Sequence, residues 1–149
     1  MKFRFKLQRA LDFAHMRERR KQNQLHASEQ RERILGHYLL ETREKLRAML
    51  GRLSGDPTSP MATFLARSIE SNNADVHRLE ISVDEEKNAQ VRLKQELIRL
   101  VMRRKALETL KEKKYADHRF EQRVREQKTL DEVSTVNWQR VQKENESND

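Results

Sequence analysis

The sequence predicts an all-α protein, a long antiparallel two-helix coiled-coil hairpin with a C-terminal helical overhang. Charged residues make up 38% of the 149 residues and hydrophobic residues only 35%, which is a low apolar content for a globular domain of this length. Glycine and proline are scarce, with three and two residues. The apolar residues recur at intervals of three and four, as on one face of a helix, and a disordered chain has no reason to keep that spacing.

The turn between the two helices is predicted in residues 51–60, which contain both prolines and two of the three glycines. Gly55 suits the left-handed residue that ends a helix, and Asp56-Pro57 cannot continue one. Ser59 can cap the next helix, with Pro60 at its first position, where the missing N–H costs nothing. Within a single domain 1–149, we expect helix 1 at about 4–53, the turn at 54–60, helix 2 at about 61–140 and a frayed tail at 141–149.

Two heptad series define the predicted contact face, or seam, of helix 1. The first series is Leu11, Glu18, Leu25, Glu32, Leu39, Leu46 and Leu53, and the second is Leu7, Ala14, Lys21, Ser28, Leu35, Thr42 and Met49. Nine of these fourteen positions are apolar, which supports a coiled coil with a weak polar middle. Gly36 lies inside the helix, costs about 1 kcal/mol relative to alanine, and allows a local bend.

Helix 2 continues the same period, and a continuous helix is favoured over a kink at 71–75, where poor helix formers cluster. Its seam consists of Val76, Leu79, Val83, Leu93, Leu97, Leu100 and Leu107, interrupted by Glu86, Gln90 and Arg104. A tight turn near residue 57 should place residue i opposite about residue 114 − i of the other helix. This rule pairs Leu35 with Leu79, Leu39 with Val76, and Ser28 with Glu86.

The charge is unevenly distributed along the chain. Residues 1–25 contain eight Lys/Arg and two acidic residues, and residues 99–125 contain ten and four. The tail 126–149 is acidic, with three basic and six acidic residues. An antiparallel hairpin brings the two basic blocks to the same end, which suggests an acidic partner there. Helix 2 should lack a partner helix from about residue 112 onward.

No catalytic or metal-binding pattern is present, so we expect a protein that is not an enzyme and has no cofactor. The chain has no cysteine, which favours a reducing compartment. His37 and His77 satisfy the pairing rule but occupy outward heptad positions. The charged N-terminus excludes a signal peptide, and no apolar run approaches a membrane span, so a soluble cytosolic protein is expected.

Three aromatic residues, Tyr115, Phe120 and Trp138, lie in the predicted overhang. One interpretation is insertion into a pocket of another protein. The other is self-association, or a tail that is partly disordered. The sequence leaves both open.

Three motifs together resemble the FliJ family, small coiled-coil proteins of the bacterial flagellar export apparatus with relatives in type III secretion. They are Phe3-x-Phe5-x-Leu7-x-x-x-Leu11 at the start, Lys105-Ala-Leu-Glu-x-Leu-Lys-Glu-Lys-x-Tyr115, and Glu126-Gln-Lys-x-x-Asp-Glu132. Each motif alone is weak because coiled coils share composition, whereas their order and spacing are more specific. The resemblance covers almost the whole chain, including its length and the position of the turn.

The resemblance implies a hairpin similar to the stalk subunit of rotary ATPases. Its base would insert into the pore of the hexameric export ATPase FliI, its turn region would contact the export gate protein FlhA, and the stalk would engage export chaperones. It would lie at the cytoplasmic face of the membrane-embedded export apparatus, peripheral to the membrane through its partners only. The implied gate contacts are Tyr38, Phe64 and Leu65, although residues 68–73 depart from the family pattern. The ATPase contacts come from the resemblance and from the basic charge at the base of the hairpin. They are Phe3, Phe5, Leu7, Arg123, Arg125, Gln127, Lys128, Asp131 and Glu132.

Three alternatives stay open from the sequence. The first is a stalk of the same family in a virulence-type secretion system. The second is a nucleic-acid-binding coiled coil, which the net charge of +8 would explain but for which base-contacting motifs are missing. The third is a membrane-surface anchor formed by the amphipathic stretch 3–14, although stable anchoring normally needs two signals.

Overall fold

A computed structural model describes residues 2–53 and 57–146, with side chains described as far as Lys143. Helix α1 spans Gln8–Arg52 and helix α2 spans Pro60–Glu146. The two long helices pack against each other as a helical hairpin, and the described residues contain no strand. The predicted all-α fold class is confirmed. Internal contacts divide the chain into two units, one formed by Met1–Ala14 with Arg103–Asp149 and the other by His15–Met102.

Helix α1 begins at Gln8 and not near residue 4, so the first part of the predicted helix is wrong. Residues 2–5 have no regular secondary structure, and a turn follows at residues 6 and 7. We call residues 2–7 the N-terminal strap. The backbone N–H of Gln8 donates a hydrogen bond of 3.1 Å to the carbonyl oxygen of Phe5, which closes this turn. Aromatic residues at every second position cannot share one face of a helix, which explains the late start.

The capping signal at the start of α2 is confirmed. Ser59 Oγ accepts a hydrogen bond of 3.1 Å from the backbone N–H of Ala62, and Pro60 is the first helical residue. Gly55 and Asp56, which we expected to end helix 1, lie outside the described residues, as do 147–149 of the predicted tail. Helix α2 is continuous through 71–75 and extends to Glu146, beyond the limit near 140 that the sequence suggested.

Both heptad registers are confirmed by burial. In the unit His15–Met102, the seam residues of α1 from Glu18 to Met49 and those of α2 from Val76 to Leu100 are all buried or half-buried. Leu53, after the end of α1, is exposed. In the other unit, the α1 seam is buried at Leu11 and Ala14. The most buried apolar residues are Phe5, Leu11, Ala14, Leu39 and Val83.

The predicted pairing between the helices is correct at one point and displaced elsewhere. Ser28 contacts Glu86, as the rule 114 − i requires. Other contacts place the α2 partner further along the chain than the rule does. The cross-helix pairs are Lys21 with Glu96, Arg31 with Glu86, Glu32 with Gln90, Arg43 with Glu80 and Met49 with Asn72.

The displacement is already present at the end of α1. The rule assumed a symmetric turn at residue 57, which would place Met49 opposite residue 65. Met49 is instead level with Asn72, so the first two turns of α2 lie beyond the last residues of α1. Met61 and Phe64, which belong to these turns, are both exposed. The pairings of Leu35 with Leu79 and of Leu39 with Val76 are therefore offset.

Candidate protein-binding site

The N-terminal strap packs against α2 through two phenylalanines. The centre of the Phe3 ring lies 5.2 Å from the centre of the Tyr115 ring, in an edge-to-face arrangement. It lies 5.6 Å from the centre of the His118 ring. Phe5 is buried, with 9% of its surface exposed. Edge-to-face aromatic pairs of this kind stabilise by about 0.5–1.5 kcal/mol beyond the burial of their area. The strap is therefore held to α2 by side-chain packing and not by helical hydrogen bonds.

This packing changes the interpretation of three residues. We expected helix 2 to lack a partner helix from about residue 112 onward. Tyr115 has a contact from Phe3 of the strap, which is not helical, and remains 48% exposed. The guanidinium group of Arg119 also lies 6.0 Å from the centre of the Tyr115 ring, within reach of a cation–π contact. Phe3 and Phe5, which the family resemblance assigns to ATPase binding, are engaged within the chain. Leu7 is exposed.

The burial of this region also bears on the membrane-anchor alternative. Phe5, Leu11 and Ala14 are the buried apolar residues of 3–14, so the apolar side of this stretch is covered by the protein itself. A membrane-surface helix would need that side free for the lipid. Leu7 and Phe13 are exposed, but these two residues alone do not make an amphipathic anchor. In the described part of the chain, neither helix has an apolar segment that could cross a bilayer.

A groove with a strongly basic lining runs beside the strap, and we call it the cationic groove. Four basic side chains line it: Arg4, Lys6, Arg9 and Lys111. The remaining described lining residues are Phe3, Phe5 and Gln8, none of which is acidic. A neighbouring groove shares Arg4 and Lys6 and is also lined by Asp117 and Glu121. None of the four cations makes a hydrogen bond or ion pair to another described residue. An uncompensated cluster of like charges attracts anions and acidic surfaces.

Helix α2 continues well past the strap and is exposed there. Every side chain from Gln127 to Lys143 is exposed, including Leu130, Trp138 and Val141. Phe120, nearer the strap, is exposed as well. The predicted overhang is thus a helix with an apolar and charged surface. Its role in pocket insertion or in self-association stays a prediction.

The six predicted ATPase contacts on α2 form two rows and not one patch. Arg125, Lys128 and Glu132 share one face, because residues separated by three, four and seven positions lie above one another on a helix. Arg123, Gln127 and Asp131 follow one another at intervals of four residues and lie on another face. All six are exposed. A single flat partner surface could contact only one row.

The predicted gate contacts are separated from one another. Phe64 is exposed and Leu65 is half-buried on the first turns of α2, whereas Tyr38 is exposed on α1. Arg43 pairs with Glu80, so Tyr38 is level with a part of α2 that follows Glu80. The 16 residues of helix between Phe64 and Glu80 span about 24 Å at 1.5 Å per residue. The structure does not bring Tyr38 and Phe64 together.

The middle of the seam contains a polar cluster. Ser28 Oγ donates a hydrogen bond of 2.5 Å to Glu86 Oε2, and Arg31 Nε donates one of 2.7 Å to Glu86 Oε1. Hydrogen bonds from Arg31 and then from Ser28 hold the pKa of Glu86 below its ordinary value. Beside them, Gln90 Nε2 donates a hydrogen bond of 2.6 Å to Glu32 Oε2. Arg31 neutralises Glu86, whereas the carboxylate of Glu32 is held by the neutral amide of Gln90.

The histidines do not assemble a metal site. His37 and His77 are exposed, as their heptad positions predict, and His37 lies 3.5 Å from Glu41 on the same helix. Among the described residues there is no group of three or more histidine, aspartate or glutamate side chains placed to hold a metal ion.

The sequence analysis brought the two basic blocks to the same end of the hairpin but missed the non-helical strap. The signal was present, because Lys2-Phe3-Arg4-Phe5-Lys6 alternates charged and aromatic residues with period two, which is not the period of a helix. That alternation was included in helix 1 because a helical period follows directly.

No protein-family model, no curated protein and no solved structure matches this chain.

Proposed function

We propose that this chain is a non-catalytic stalk of the flagellar protein export apparatus, of the FliJ type. In this proposal its basic end binds the pore of the hexameric export ATPase. The chain also couples the ATPase to the export gate and engages export chaperones, at the cytoplasmic face of the apparatus. The resemblance of the three sequence motifs is the source of the proposal. A stalk of the same family in a virulence secretion system is the alternative with the same mechanism.

One structural observation carries the proposal. In the unit formed by 1–14 and 103–149, α2 continues past the contact of Phe3 with His118, and every side chain from Gln127 to Lys143 is exposed. From His118 to Glu146 the helix advances by 28 residues, or about 42 Å at 1.5 Å per residue. A long exposed helix with charged rows suits a pore in which contacts must form and release, because exposed ion pairs contribute only about 0–1 kcal/mol each.

The test is ATPase stimulation by charge-reversed variants. Arg123→Glu with Arg125→Glu changes one residue in each exposed row of α2, and we expect this double variant to lose stimulation of the purified export ATPase hexamer. Circular dichroism should show unchanged helicity. Arg67→Glu with Arg92→Glu makes the same change in charge at exposed positions away from the basic end, and it should stimulate like the wild type. Wild-type stimulation by the first variant would remove the proposed contact surface.

A second measurement separates the proposal from nucleic-acid binding. The wild-type chain is titrated into fluorescent duplex DNA and into labelled ATPase at the same salt concentration, since non-specific DNA affinity depends steeply on salt. Tighter binding to DNA than to the ATPase would favour the nucleic-acid alternative. Comparing the ATPases of a flagellar and a virulence export system in the same assay distinguishes the two secretion settings.

A further inference from the structure

The N-terminal strap has two chemically different sides. Phe3 is half-buried and Phe5 is buried against α2, while Lys2, Arg4 and Lys6 are exposed. This alternation with period two is typical of a strand in which one side is covered and the other faces solvent. The packed phenylalanines fix the strap, and its cationic side remains available.

The backbone of the strap has unused hydrogen-bonding capacity. The carbonyl of Phe5 accepts from Gln8, whereas the N–H and C=O groups of residues 2–4 bond to no other described residue. Unpaired backbone groups in a row can pair with an added peptide strand, as at the edge of a sheet. Main-chain pairing contributes affinity in such complexes, and the side chains contribute specificity.

We infer that the strap and the cationic groove form a docking site for an extended acidic peptide segment of a partner protein. The peptide backbone pairs with residues 2–4. Carboxylates on its alternate residues meet Arg4 and Lys6 on the strap and Arg9 and Lys111 across the groove. This site differs from the two rows on α2 but shares Phe3 and Phe5 with the ATPase contacts that the family resemblance implies. The inference is argued from the charges and the backbone of the strap and does not depend on the ATPase proposal.

The lining of the groove favours a peptide over a nucleic acid or a lipid surface. Single-stranded nucleic acids bind on exposed aromatic rings. Here Phe5 is buried, and Phe3 is half-buried and packed on Tyr115, so neither ring is exposed for stacking. A bilayer would need apolar side chains on the cationic side for insertion, and Arg4 and Lys6 occupy that side instead.

The experiment uses the full chain and a fluorescent peptide of about seven residues that alternates glutamate and valine, which matches the strand period. Binding is followed by fluorescence anisotropy at physiological salt. Arg4→Glu with Lys6→Glu should weaken binding at least about tenfold, because two attractions become repulsions. The double variant Arg67→Glu with Arg92→Glu changes the net charge by the same amount at positions 19 or more residues from Lys111 along α2. It should bind within about twofold of the wild type, since salt screens charges separated by more than about 8 Å.

A second peptide tests the backbone pairing. The same sequence with N-methyl groups on alternate residues keeps all carboxylates but loses the backbone donors on one edge, and we expect it to lose most of its affinity. Full affinity of the methylated peptide would overturn the strand pairing. Equal weakening in both charge-reversed variants, or tighter binding of a single-stranded oligonucleotide or of phosphatidylserine vesicles of equal charge, would overturn the acidic-peptide site. Unchanged helicity of the variants shows that the fold is intact.

Discussion

The hydroxyl group of Ser28 on α1 donates a hydrogen bond of 2.5 Å to the carboxylate of Glu86 on α2, and Ser28 is fully buried. The same carboxylate accepts a second bond from Arg31. A buried polar group destabilises a protein unless it is hydrogen-bonded, and here every member of the cluster has a partner. The polar middle of the seam is thus held by specific hydrogen bonds where the rest of the seam relies on apolar contact.

We expect Ser28→Ala to lower the free energy of unfolding by about 1–3 kcal/mol, because a buried hydrogen bond to a charged group is lost. Urea unfolding followed by circular dichroism measures the change. Ser71→Ala is the matched control, since Ser71 is exposed on α2. Alanine favours a helix more than serine does, so the control should be unchanged or slightly more stable. Equal losses in the two variants would contradict the role of the hydrogen bond.

The stability of the chain should fall at acidic pH, in part through Glu86. Its pKa in the folded chain lies below the ordinary value of 4.5, because Arg31 and Ser28 donate hydrogen bonds to its carboxylate. As the pH falls, the carboxylate of Glu86 is therefore protonated at a higher pH in the unfolded chain than in the folded chain. The stabilisation is present above about pH 4.5 and is lost as the pH drops toward the folded pKa. Glu96, whose pKa is lowered by Lys21, acts in the same direction.

The measurement is the free energy of unfolding at a series of pH values. Glu86→Gln should be less stable than the wild type at neutral pH and should lose less stability on acidification. The free energy of unfolding of this variant should still fall somewhat with pH, because Glu96 still titrates. Glu70→Gln removes an exposed carboxylate and should keep the wild-type slope. If Glu86→Gln keeps that slope as well, the carboxylate does not contribute in the way described.

The regular part of the fold could be predicted from the sequence because it depends on local signals. Heptad spacing determines which face of each helix is buried, and Ser59 with Pro60 marks the start of α2 wherever the helix later packs. The pairing of Ser28 with Glu86 also followed from the sequence, since two polar gaps in facing seams must meet.

The rest depends on geometry that the sequence does not encode locally. The offset between the helices arises at the connection after Arg52, where the first turns of α2 extend past α1 before pairing begins. The strap depends on a contact between Phe3 and Tyr115, which are far apart in the chain. The antiparallel register already places Arg4, Lys6 and Arg9 beside the basic block that contains Lys111, but it does not give the non-helical strap that lines the groove.

A disulfide test can measure the offset directly. The pairs of Glu32 with Gln90 and of Arg43 with Glu80 flank Leu39 and place it opposite Val83, and both residues are 9% exposed. Leu39→Cys with Val83→Cys should form an intramolecular disulfide faster than Leu35→Cys with Leu79→Cys, the pair expected from a symmetric turn. The chain has no other cysteine, so the bond can be assigned without ambiguity. Faster closure of the second pair would restore the symmetric register, and dimers alone would exclude the hairpin.

Gly36 should be replaceable with a gain in stability. It lies inside α1, and a Cβ atom built there meets no other atom within 4 Å. Gly36→Ala should raise the free energy of unfolding by about 1 kcal/mol, because alanine has the higher helix propensity and no clash opposes it. Ala48→Gly, at an exposed position of the same helix, should lower it by a similar amount. A loss of stability in Gly36→Ala would indicate a bend at this residue that the continuous helix lacks.

Neighbouring leucines on α1 provide the most direct test of which face is buried. Leu39 is 9% exposed and Leu40 is 60% exposed, although they are adjacent in the chain. Leu39→Asp places a carboxylate in the apolar part of the seam and should cost about 3–5 kcal/mol. Leu40→Asp makes the same chemical change in solvent and should cost no more than about 1 kcal/mol, mostly through helix propensity. Similar melting temperatures for the two variants would show that the seam does not pass through Leu39.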